Sequence, residues 1–214
     1  SNNCIQDCGG TWGGSAICDY DGNIYAVIQI DAQIWMAENL EVTHYNNGDA
    51  ITNITNNSSW NSHTTGAYCD YNNSTSNAET YGRLYNWYAV DDSRGICPID
   101  YHVPTDAEWT ILTDFLGGTD VAGGKMKETG TFHWDSPNTG ATNESGFTAL
   151  PGGFRGYSSG YAGLGYSGLF LSSTEYNSDG QIGSTYMALY ADSTVTNLYS
   201  FLKYFGYSVR CLGD

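Results

Sequence analysis

Residues 105–118 read TDAEWTILTDFLGG, and the fold class turns on this stretch and on the residues downstream of it. Thr105 and Glu108 have the spacing of a capping box. In that device a hydroxyl and a carboxylate three residues apart satisfy amides that a helix start leaves without partners. Trp109, Leu112 and Leu116 recur at intervals of three and four, so they share one face, and Gly117-Gly118 ends the run. The spacing predicts a helix over 106–116. A second helix is expected over 80–90 (TYGRLYNWYAV), where Leu84, Trp87 and Tyr88 share a face. From Phe147 onward short β-branched and aromatic pieces alternate with Gly, Ser, Asn and Asp, giving candidate strands at 147–150, 168–173, 185–191, 194–202 and 206–212. Helices followed by runs of strands predict an α+β domain: two main helices and a mainly antiparallel twisted sheet. Upstream, 22–30 (GNIYAVIQI) reads as a strand after an Asp-Gly turn, with 32–36 (AQIWM) as its hairpin partner across Asp31. Residues 46–77, dominated by Asn, Ser and Thr, read as a long irregular surface loop.

The 214 residues suit one large domain with a short appendage. Residues 1–21 form a Cys/Gly-rich segment too small for its own core, and 22–214 form the domain. Seven Lys and Arg stand against 23 Asp and Glu, a net charge of −16. Binding to nucleic acid needs clustered cations that release counterions, so neither nucleic acid nor an anionic membrane surface is expected as a partner. Asp19-Tyr20-Asp21-Gly22-Asn23 comes nearest to a calcium loop, but it lacks the D-x-D-x-D-G pattern and reads as a turn. No cofactor is therefore expected, and structural calcium has no motif to hold it. No run approaches about 20 apolar residues, so no membrane span is expected.

The six cysteines are Cys4, Cys8, Cys18, Cys69, Cys97 and Cys211. None forms a C-x-x-C pair, which argues against structural zinc. An even count among many Asn, Ser, Thr and Gly suits disulfides and an oxidising exterior. A secreted or cell-surface location is the resulting expectation, and a start at Ser1 rather than Met suits a leader already removed.

Several motifs occur in order: Trp35-Met36-Ala37-Glu38-Asn39-Leu40, Tyr81-Gly82-Arg83-Leu84-Tyr85-Asn86-Trp87-Tyr88-Ala89-Val90 and Gly95-Ile96-Cys97-Pro98. Further along stand His102-Val103-Pro104-Thr105-Asp106-Ala107-Glu108-Trp109, Ala149-Leu150-Pro151-Gly152-Gly153-Phe154-Arg155, Ser172-Ser173-Thr174 and Ser208-Val209-Arg210-Cys211. From about residue 22 to 214 the chain resembles the Fibrobacter succinogenes major paralogous domain, a family of secreted and surface proteins of bacteria. The resemblance implies a C-type-lectin-like fold, akin to formylglycine-generating enzymes, and no established enzymatic activity. Two positions depart from the family pattern: Asp100-Tyr101 replaces Gly-Trp, and Leu171 replaces a Trp. Cys97 and Cys211 both lie in family motifs, so the resemblance implies that they pair. Cys4, Cys8, Cys18 and Cys69 then allow three pairings that sequence cannot separate, with Cys4–Cys18 and Cys8–Cys69 the favoured set.

Chemistry needs a nucleophile, a base and an orienting group held together. No G-x-S-x-G elbow is present. The formylglycine-generating relatives use reactive cysteines near the C-terminus, where this chain has only Cys211. His102 reads as a satisfied core histidine, Glu108 as a helix cap, and Glu38 and Glu175 have no paired carboxylate. The triplets that calcium-dependent lectins use to hold sugar are absent, so a lectin-like fold would lack the lectin site.

Tyr157, Tyr161, Tyr166, Tyr176, Tyr186, Tyr190, Tyr199, Tyr204 and Tyr207 crowd the C-terminal quarter among Ser, Gly and Asn. This mixture resembles antibody paratopes, where Tyr gives broad contact at low entropy cost and the small residues adapt. All but Tyr207 are candidate contact residues. The bland alternative is half-buried strand tyrosines. The leading expectation is a non-catalytic binding or adhesion domain that recognises a protein or glycan at a surface. The alternative is a structural subunit that meets copies of itself in an extracellular filament or layer. An enzyme ranks third.

Overall fold

The computed structural model describes residues 8, 10, 16–156, 160–178 and 180–214. Strands β1 (Ile17–Cys18) and β2 (Ile24–Tyr25) pair across the acidic turn that follows Cys18. Both oxygens of the Asp19 carboxylate are used inside this turn. Oδ1 accepts from the Asp21 and Asn23 amides, and Oδ2 from the Asn23 side chain and the Tyr25 hydroxyl. The stretch is thus a side-chain-fixed turn, as its sequence predicts. β3 (Val27–Ile30) and β4 (Gln33–Met36) form the expected hairpin, with Asp31 at φ 53°.

Next come β5 (Thr52–Asn53), α1 (Asn57–Asn61), β6 (Ala67–Cys69), α2 (Thr75–Tyr81), β7 (Leu84–Tyr85) and α3 (Trp87–Val90). β8 (Tyr101–His102) leads into α4 (Asp106–Phe115) and α5 (Thr119–Met126). The remaining strands are β9 (Gly152–Arg155), β10 (Tyr161–Leu164), β11 (Ser167–Ser178), β12 (Gln181–Tyr190), β13 (Asn197–Phe201) and β14 (Leu212–Gly213). The chain is a mixed α/β protein, mostly sheet with few helices. The largest sheet has the order β10-β9-β11-β12-β13, antiparallel except where β9 meets β11. Two smaller sheets run β3-β4-β14-β8 and β5-β6-β7.

Alternation along β11 and β12 splits the core in two. Phe170, Met187 and Leu189 face a cluster with Trp35, Trp109, Leu112, Trp134 and Phe147, beneath α4 and α5. Leu169, Leu171 and Ala188 face the opposite way, into a cluster with Tyr85, Trp87, Phe205, Tyr207 and Val209. α4 begins with the predicted capping box: the Thr105 hydroxyl accepts from the Glu108 amide, and the Glu108 carboxylate accepts from the Thr105 amide.

The expected helix over 80–90 is corrected. Gly82, at φ 73°, ends α2, and Leu84–Tyr85 is a strand beside β6. Leu84, Tyr85, Asn86 and Trp87 are all buried, and a helical stripe cannot bury four consecutive residues on one face. The 46–77 stretch is not a bare loop either: it carries β5, α1 and β6 around buried Ile54, Trp60 and Tyr71. The 147–150 strand is absent, with Thr148 at φ 52° and a single bridge at Ala149. Helix α5 had no sequence signal because Gly123 and Gly124 are poor helix formers. Gly123 is required there, since a Cβ would sit 2.7 Å from the Thr194 carbonyl oxygen.

Among the described residues two disulfides form, Cys97–Cys211 and Cys8–Cys18. The favoured Cys4–Cys18 and Cys8–Cys69 pairs are therefore corrected. Cys69 is a free thiol with no solvent exposure, walled in beside Trp60 and Leu84, and burial pushes its pKa up to about 11. Cys4 lies outside the described residues. Asp100, standing where the resembled family has Gly, adopts φ 66°, a region glycine enters without strain. Leu171, at the other departure, is wholly buried.

Candidate functional site

The second core cluster does not close over at one end of the large sheet. Register places Tyr186 opposite Tyr199 and Leu171, and Tyr190 opposite Ser167, so these side chains share one face of β11, β12 and β13. Phe154 from β9 and Phe205 and Tyr207 from the return segment complete an aromatic floor. Tyr186 stacks on Tyr207 with centroids 4.5 Å apart, Phe154 on Phe205 at 6.3 Å, and Phe201 meets Phe205 edge-on at 4.4 Å. Tyr166 stands at the rim, 5.8 Å from Tyr190.

These rings line an open recess of about 430 Å³ together with Gly163, Ser167 and Leu169. That volume lies in the range that takes a small ligand or an inserted side chain. A second recess of about 510 Å³ lies beside it, lined by Tyr176, Gln181, Ile182, Gly183, Ser200, Phe201 and Leu202, and it shares Phe201. Among the described residues no Lys, Arg, Asp, Glu or His lines either one. The Tyr166, Tyr186 and Tyr190 phenols stay protonated at neutral pH. Burial raises the pKa of Tyr186 and pushes that of Tyr190 up to about 12, and a hydrogen bond to Asp192 raises that of Tyr166. Each hydroxyl remains able to donate and accept.

Of the sequence-predicted tyrosines, Tyr166, Tyr176, Tyr186, Tyr190 and Tyr199 gather on this face. Tyr161 points elsewhere: its hydroxyl donates to Asn73 Oδ1 at 2.8 Å, and its ring lies 5.0 Å from the Arg155 guanidinium carbon. Tyr204 is half-buried, 5.4 Å from Phe205, and lines neither recess. Tyr207 is only 2% exposed and supports the floor from below. Tyr157 lies outside the described residues. Sequence reading missed Phe154, Phe201 and Phe205. The signal for Phe201 was its alternation with Tyr199, and Phe205 stands two residues before Tyr207 in the same rhythm.

The ionisable groups considered for catalysis sit apart, each already engaged. His102 is more than a third exposed rather than a core residue; Nδ1 faces Asp214 at 2.6 Å and Nε2 faces Glu108 at 2.9 Å. Both ring nitrogens are thus engaged by carboxylates. Glu38 accepts from the Ala26 amide, and Glu175 pairs with Lys203. Among the described residues no group of three His, Cys, Asp or Glu side chains is placed to hold a metal ion. No described helix is long and apolar enough to cross a membrane.

The family model of the Fibrobacter succinogenes major domain matches residues 28–212. No curated protein and no solved structure matches the chain.

Proposed function

Since the chain belongs to the Fibrobacter succinogenes major domain family, we propose that it is a non-catalytic binding or adhesion module of the cell exterior, on a C-type-lectin-like scaffold. Its site is the aromatic recess over β11 and β12, and its ligand is a protein or glycan group without charge. The observation that carries this reading is an open floor of stacked rings with no charged residue among the described residues of its lining, on a chain of net charge −16. Burying a charged group against such a floor would cost several kcal/mol without compensation. Neutral sugar faces and apolar or aromatic side chains meet the rings at no such cost, and the phenol hydroxyls add hydrogen bonds that set orientation. Disulfides accord with an oxidising exterior.

The test uses arrays of neutral and acidic oligosaccharides and of peptides, probed with the chain and with a Tyr186→Ala, Tyr190→Ala double variant. Uncharged members should be retained, and the double variant should lose at least about tenfold in affinity, as for central aromatic anchors. A cooperative melt of the variant establishes that it folds. Retention of charged ligands only, or binding indifferent to both rings, would defeat the proposal.

A further inference from the structure

The large sheet ends at β13, and among the described residues that edge carries none of the devices that normally keep sheet edges from pairing. Natural edge strands are guarded by Lys, Pro, bulges or a covering element. β13 reads Asn197-Leu198-Tyr199-Ser200-Phe201, with no Pro and no charge. Tyr199 is 43% exposed, Phe201 47%, the adjoining Leu202 45%, and Ile182 of the neighbouring strand 54%. Over residues 180–202 the one Asp, Glu, Lys or Arg is Asp192.

Charge indicates what meets this edge. All seven Lys and Arg are already used. Arg83, Arg94, Lys125 and Lys203 are in ion pairs with carboxylates. Lys127, Arg155 and Arg210 are wholly buried against backbone carbonyls and Asn side chains. The remaining surface is acidic, so two copies repel one another wherever carboxylates face, and the uncharged, apolar β13 strip is a place where they can meet without that cost. The strand is also self-complementary. Antiparallel pairing about a two-fold axis at its centre sets Tyr199 opposite the partner's Tyr199, and Asn197 opposite the partner's Phe201. Aromatic pairs directly across two strands are stabilising.

We propose that two copies of this chain pair edge to edge through β13, joining their large sheets into one across an isologous two-fold contact. The contact is small for a protein interface, so the pair is concentration-dependent. It does not rest on the ligand reading above: Ser200 and Phe201 of β13 line the recesses, but the pairing centres on Tyr199, which lines neither.

Sedimentation equilibrium of the chain tests this. The mass should double with concentration. The association constant should rise roughly tenfold between about 0.01 M and about 1 M salt, where the Debye length falls from about 30 Å to about 3 Å. An interface held by ion pairs would weaken instead. Tyr199→Glu and Tyr199→Lys should each stay monomeric at low salt, and an equimolar mixture of the two should form a heterodimer, because position 199 faces itself. A wild-type chain that remains monomeric at every salt and concentration overturns the proposal whatever the variants do. So does a mixture that fails to pair while the wild type dimerises, or self-association that either variant leaves intact.

Discussion

His102 sits between two carboxylates, and the consequence is a pH dependence of stability with a definite sign. Partial burial works against the imidazolium, but its hydrogen bonds to Asp214 and Glu108 outweigh it and raise the His102 pKa above its ordinary value. A histidine whose pKa is raised by folding contributes stability that is fully present below its unfolded pKa, near 6.5, and lost as pH climbs through the folded value. Glu108 works in the opposite sense. Burial opposes its charge, yet the Thr105 amide and hydroxyl and His102 pull its pKa below the usual carboxylate range. Its contribution is present above about pH 4.3 and lost as pH falls through the folded value. The cluster should therefore stabilise most between these two windows. We expect the unfolding free energy to decline above about pH 6.5 by less than about 1 kcal/mol, since the pairs are partly solvated, and His102→Gln to remove that decline. Denaturant titrations of both chains across pH check it; an unchanged slope in the variant would assign the effect to other groups. Glu108 as a cap was legible from its spacing to Thr105, whereas its pairing with His102 was not, because β8 and α4 meet only through the turn between them.

At the scale of elements, β12 and β13 lie close because position 183 has no side chain. A Cβ on Gly183 would stand 2.3 Å from the Phe201 carbonyl oxygen, a backbone atom that cannot swing away. Gly183→Ala should therefore force the strands apart at the end that carries Phe201, costing about 1–3 kcal/mol as overpacking does. It should also weaken the register Ser184↔Phe201, while Tyr186↔Tyr199 further along persists. Amide hydrogen exchange, with protection lost at 200–202 and kept at 187–189, would show this; a variant as stable as wild type would mean the backbone yields more easily than its contacts suggest. The same strands mark how far the sequence could be read. Alternating residues between Gly turns gave β11, β12 and β13 to within a few positions, and the capping box gave α4. Residues 80–90 failed because Leu84, Tyr85 and Trp87 are buried for different partners, two on a strand and one on a helix. Periodicity assumes a single element, and Gly82 at positive φ was the overlooked break. The recess was half legible: its tyrosines stood out by composition, while Phe154 and Phe205 reach it from segments whose approach depends on tertiary pairing of Arg155 with Gly206.

For the molecule as a whole, the two disulfides differ in what they hold. Cys97–Cys211 joins residues 114 apart in sequence, and both cysteines are buried in the cluster beneath the aromatic face. It fixes the C-terminal segment just where β14 enters between β4 and β8, with Leu212 paired to both Trp35 and His102. Tyr207, which supports the recess floor, lies four residues before Cys211 on this same segment. Cys8–Cys18 spans 10 residues and leaves Cys8 exposed on the surface. Loop-closure entropy favours the long bridge, at roughly 4–5 kcal/mol for a loop of about 100 residues. Replacing Cys97 and Cys211 by Ala adds the loss of two buried sulfurs to that term. The short bridge should contribute on the order of 1 kcal/mol to global unfolding, less than its loop length alone suggests, because β1 and β2 can open locally while the clusters stay intact. The double variants should accordingly fall in a fixed order under denaturant. Loss of Cys97–Cys211 should lower the midpoint steeply and abolish the binding proposed for the recess, and loss of Cys8–Cys18 should barely move either. The reverse order would mean that the N-terminal hairpin, rather than the C-terminal return strand, holds the two core clusters together.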